Sequence, residues 1–154
     1  GGRSFAIMDG NSGNIIYDSG NDIAVRTAFT GFFNWNEDAG SFDDRSDDKG
    51  AEPEAITVGD IDGKSYAFVG LERQGGIMMY DITGIINPKF VGYFNGRNFF
   101  GDGTKMTGGD ISPESLVFIP ADKTPPAYRA LNNSPLLIGA YELSGSTAVY
   151  QINN

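Results

Sequence analysis

Glutamates recur in this chain at matched places. Glu54 follows Pro53, and Glu114 follows Pro113 sixty positions later; Glu72 ends Gly70-Leu71-Glu72, and Glu142 ends Gly139-Ala140-Tyr141-Glu142. Between Glu37 and Glu54 stand eight acidic residues, Asp47, Asp48 and Glu52 among them, against Arg45 and Lys49. Carboxylates gathered at one place repel unless a cation, an Arg or Lys, or bound protons sit among them. Oxygen-only donors suit a hard cation, and Ca2+, which takes about six to eight of them in a flexible shell, suits them better than Zn2+. The plain alternatives are a solvated acidic loop for the run, strand-entry turns for the Pro-Glu pairs and a local ion pair for Glu72 beside Arg73.

The residue types that are absent narrow the chemistry further. The chain has no Cys and no His. Thiolate nucleophiles, disulfides, Ser-His triads, histidine acid–base catalysis and ordinary zinc sites are therefore excluded. For hydrolysis, attack by a metal-bound water is the natural route left, with Arg45, Lys49 or Arg73 as phosphate clamps. Strand alternation points Arg73 away from Glu72, however, which favours a non-catalytic binding module over an enzyme. A net charge of −9 argues against a nucleic-acid partner, and no apolar run approaches the roughly 20 residues of a membrane span. The Gly101-Asp102-Gly103-Thr104-Lys105 stretch lacks the ending and the helix of a phosphate loop, and Asp60-Ile61-Asp62-Gly63 lacks the distal glutamate of a calcium loop. Both read as turns.

The elements that must position these glutamates form an internal repeat. Residues 52–81 have a second copy in 112–152, with about ten extra residues placed in 121–134. The first copy holds apolar runs at 55–58, 66–71 and 77–80, followed by a fourth at 89–94. They are rich in Val, Ile, Tyr and Phe and are split by turn formers such as Gln74-Gly75-Gly76. Four antiparallel strands joined by short turns, repeated at this period, read as a β-propeller blade. Segments 4–9 and 14–18 match the third and fourth strands of a blade, with Gly10-Asn11-Ser12-Gly13 as their hairpin turn.

The expectation is an all-β fold, a β-propeller fragment of about two and a half four-stranded antiparallel blades. Residues 1–20 end one blade, 21–51 form an acidic inter-blade loop, 52–95 a complete blade, 96–111 a loop, and 112–154 a last blade lacking its fourth strand. Propellers take about four to eight blades, so the remaining blades, in the same or another chain, are the expected partner. In an up-and-down blade the first strand starts on the face where the second ends. Glu54, Glu72, Glu114 and Glu142 then come to one face, and the acidic loop brings Asp47, Asp48 and Glu52 to it.

The stretch from Ser41 to Glu54, with 67–73 and 75–81, resembles the choice-of-anchor I domain, as do Arg3-Ser4-Phe5, 16–20 and 144–150. This propeller family is related to mesenchyme-specific cell-surface glycoproteins and to an atypical alkaline phosphatase. The resemblance implies the C-terminal part of that domain, in a bacterial protein that is secreted or held at the cell surface. It also implies two functions to weigh. One is an extracellular calcium-binding module with a surface or matrix partner; the other is a calcium-dependent phosphoester hydrolase.

Overall fold

A computed structural model describes residues 2–37, 40–129 and 134–153. Among them nine strands form three antiparallel sheets. The first sheet is a hairpin of β1 (Ala6–Met8) and β2 (Ile15–Asp18). The second is a meander of β3 (Pro53–Ile61), β4 (Lys64–Leu71), β5 (Ile77–Asp81) and β6 (Lys89–Phe94). The third is β7 (Pro113–Ile119), β8 (Leu136–Tyr141) and β9 (Thr147–Gln151).

The sheets stack, and the middle one is covered on both faces. Val69, Leu71, Met78 and Tyr80 pack with Phe5, Ile23 and Ala51 on one side. Ala55, Phe68 and Ile77 pack with Leu116 and Leu137 of the third sheet on the other. This is why β4 is buried continuously from Ala67 to Leu71, as a strand covered twice must be. The second and third sheets approach closely: a methyl group built on Gly59 would lie 2.2 Å from the Phe118 ring.

The segment before β3 is not a plain loop. It opens with a short helix, α1 (Asp22–Thr27), whose Ile23 is fully buried. Its apolar spacing is too brief to stand out in the sequence, and tertiary contacts fix it. The Tyr80 hydroxyl donates to Asp22 Oδ2 at 2.9 Å, tying α1 to β5. Tyr80→Phe is expected to cost about 1–2 kcal/mol, because Asp22 loses a charge-assisted donor in a half-buried setting; the urea midpoint checks this, and an unchanged midpoint would refute it.

The acidic segment is held down rather than floating. Arg3 donates to the carbonyls of Ser46 and Asp48 at 2.6 and 2.7 Å. Arg97 donates to those of Asn36 and Glu37 at 2.6 and 3.0 Å. Phe32 stacks on Phe99 with ring centres 3.9 Å apart. Asp38, counted in the acidic run, lies outside the described residues. The insert of the second copy carries a second short helix, α2 (Pro126–Arg129), and its positions 130–133 also lie outside them.

Candidate metal centre

The glutamates are aimed by a device that occurs in both copies of the repeat. The residue before the Pro-Glu pair takes a left-handed backbone, φ +50° at Glu52 and +62° at Ser112. Such a conformation is uncommon for any side chain, and a following proline restricts it further. The turned carbonyl then accepts the N–H of the other glutamate: Glu72 N–H donates to Glu52 C=O, and Glu142 N–H to Ser112 C=O, each at 2.8 Å. The ladder shifts register between Pro53 and Ala55 and again between Pro113 and Ser115. Glu54 and Glu114 are thus the extra residues of two β-bulges, which re-aim a side chain at a strand end.

Two groups of three glutamates result. Glu52, Glu54 and Glu72 form one, and Glu72, Glu114 and Glu142 the other; within each group one carboxylate oxygen per residue lies within 4.8 Å of the others. Glu72 is shared between the groups and is 4 % exposed, whereas Glu54, Glu114 and Glu142 are exposed. Asp47 and Asp48 belong to neither group: Asp47 is exposed, and Asp48 pairs with Arg45 at 2.7 Å.

The cationic side chains are engaged on the first group. Glu52, 1 % exposed, receives Arg45, Lys49 at 2.8 Å and Arg73 at 3.4 Å. Arg73 also pairs with Glu37 and, through Nη2, with Glu72 Oε1 at 3.1 Å. The expectation that Arg73 points away from Glu72 is therefore corrected. Strand β4 ends at Leu71, so Glu72 and Arg73 stand in the turn, where alternation no longer applies.

Electrostatics separates the two buried glutamates. Burial pushes Glu72 up to about 7; Arg73 opposes this, and Glu54 and Glu52 add to it. Burial also raises Glu52, but Lys49, Glu54, Arg73 and Arg45 together outweigh it and leave the group below its usual value. The stability consequence of Glu72 has a definite sign. A group raised in the fold favours the folded state fully below its unfolded value, 4.5, and that contribution is lost as pH rises toward about 7. In chelator, the melting temperature is expected to fall across this window in the wild type and to fall less in Glu72→Gln. Parallel pH profiles would refute the assignment.

Sequence reasoning missed two residues here. Glu37 carries no signal that would pair it with Arg73. Ser112 does carry one, since it occupies in the second copy the place of Glu52 in the first. It lines a cavity of about 460 Å3 with Glu37, Arg73, Glu142 and Leu143. A larger apolar groove of about 560 Å3, between β5–β6 and β9, is lined by Phe68, Ile77, Met79, Leu137 and Val149 among others and has no charged side chain; the ionic chemistry lies at the smaller cavity.

Gigasin-3a of Magallana gigas is 26 % identical over 167 residues, an alignment covering 99 % of this chain and 56 % of the relative. The chain thus spans little more than half the length of that protein. No solved structure matches. Residues 1–85, which carry the first hairpin, the acidic segment, the first glutamate group and strands β3 to β5, match the model of the choice-of-anchor I domain. With more than half of its residues matched, the chain belongs to the choice-of-anchor I domain family.

Proposed function

We propose that this chain is a calcium-binding module of an extracellular or cell-surface protein, built from consecutive blades of a β-propeller, with its cation site at the edge where two blades meet. The family supplies the surface-associated setting, and no described helix is long and apolar enough to cross a membrane. A hairpin and two antiparallel meanders, stacked sheet on sheet, support the blade reading. The partners on this reading are the remaining blades and a surface or matrix component.

The observation that carries the cation reading is the buried carboxylate of Glu72, shared by two close glutamate groups from adjacent sheets. Bringing carboxylates this close is costly without a positive charge between them. Arg45, Lys49 and Arg73, the candidate phosphate clamps, are already paired with Glu52, Asp48, Glu37 and Glu72. This favours the binding module over the phosphoester hydrolase.

The test is calcium calorimetry on the intact protein, comparing wild type with Glu54→Gln plus Glu114→Gln, and with p-nitrophenyl phosphate turnover assayed on the same samples. We expect calcium binding in the wild type, its loss in the double variant, and no turnover in either. Unchanged binding would sink the glutamate site, and turnover lost together with calcium would establish the hydrolase instead.

A further inference from the structure

The two glutamate groups are not equivalent, and the difference decides where a cation sits. In the first group both oxygens of Glu52 are taken: Oε1 by Arg45 and Arg73, Oε2 by Lys49. A cation could take Glu52 as a ligand only by breaking those pairs and setting buried or half-buried positive groups beside itself. In the second group, among the described residues, no ion pair reaches Glu114 or Glu142, and Arg73 is the one cationic side chain paired with Glu72.

A second observation at this group concerns Ser112. It is 1 % exposed, its hydroxyl oxygen is buried without a hydrogen-bond partner, and it lines the polar cavity with Glu142. Buried hydroxyls are ordinarily satisfied, so an orphan on the wall that Glu142 shares asks for a ligand. Its position is also well fixed. The left-handed backbone of Ser112 presents its carbonyl to the N–H of Glu142, and Pro113 locks the next residue. Where the first copy of the repeat places a carboxylate neutralised by Arg45 and Lys49 from the acidic segment, the second places a neutral oxygen with no partner.

We propose that one divalent cation, calcium by its oxygen-only donors, binds Glu72, Glu114, Glu142 and the hydroxyl of Ser112, with Glu52 and Glu54 forming an adjoining wall rather than the ligand set. This rests on the cation-binding reading above and narrows it to one ion drawn from two sheets. Neutral and anionic oxygens together suit Ca2+. Water completes the shell from the solvent side, since Glu114 and Glu142 are exposed.

The experiment is calcium titration of the intact protein by calorimetry, with unfolding transitions recorded in chelator to check each fold. The set is wild type, Glu142→Gln, Glu54→Gln, Ser112→Ala and Ser112→Gly; the last removes the hydroxyl while relieving the left-handed backbone. We expect Glu142→Gln to weaken binding by roughly fiftyfold or more and both Ser112 variants by about fivefold. Glu54→Gln is expected to act at least about tenfold less severely than Glu142→Gln. Equal damage from Glu54→Gln and Glu142→Gln, or wild-type affinity in Ser112→Gly, would overturn the assignment while leaving a cation site in place. Absence of calcium binding in the wild type would instead overturn the underlying reading.

Discussion

Glu52→Gln is expected to lower the unfolding free energy by about 3 kcal/mol, the scale for removing one partner from a buried ion network. Glu52 is 1 % exposed, while its partners Arg45, Lys49 and Arg73 have side chains 14, 37 and 24 % exposed. Their partial access to water sets the figure at the low end of that scale. The substitution keeps shape and removes charge, so three cations lose their common anion and Arg73 keeps only Glu37 and Glu72. The check is urea denaturation in chelator, read as a midpoint shift at unchanged slope. A change under about 1 kcal/mol would mean that water screens the network as at an ordinary surface.

Gly76→Ala is expected to be as damaging, about 3 kcal/mol or more, for a reason of space rather than charge. Gly76 sits at φ +84° in the turn after Glu72, and a methyl group there would lie 2.5 Å from the Phe94 carbonyl and 2.6 Å from the Tyr93 ring. Part of the cost is backbone strain, about 1–2 kcal/mol for a left-handed residue with a side chain. The remainder is overlap with β6, which backbone cannot easily yield. Gly13→Ala separates the two, since Gly13 has φ +73° and nothing within 4 Å of the added methyl. Equal losses of melting temperature at the two sites would show that crowding contributes nothing. The corresponding residue of the second copy is Ser146, which stands outside the left-handed region. Among the described residues, the third sheet has no fourth strand to crowd it.

The strands were legible because alternation, β-branched residues and Gly-rich turns agree: the runs at 66–71 and 89–94 coincide with the cores of β4 and β6. The nearness of Glu54 to Glu72, and of Glu72 to Glu114 and Glu142, was legible from the repeat, since strand direction brings those ends together. Three things were not legible. Helix α1 is too short to carry a period and depends on Ile23 and on the Asp22–Tyr80 bond. The bulges at Glu54 and Glu114 arise from a backbone sign at Glu52 and Ser112 that neither residue type announces. The pairing of Arg73 with Glu37 joins residues 36 positions apart, a separation that no local pattern records.

The insert of residues 121–134 joins β7 to β8 at the end of the sheet opposite Glu114 and Glu142. In the first copy the same junction is a two-residue turn, Asp62-Gly63. One end of the sheet is therefore pinned by bulges and shared carbonyls, while the other tolerates a change in length without moving a glutamate. Descendants of such a fold can acquire new distal loops, and with them new partners, under little constraint from the glutamate end. A changed residue at position 52 or 112 has no such freedom, and divergence in this family should fall unevenly on the two ends of each sheet.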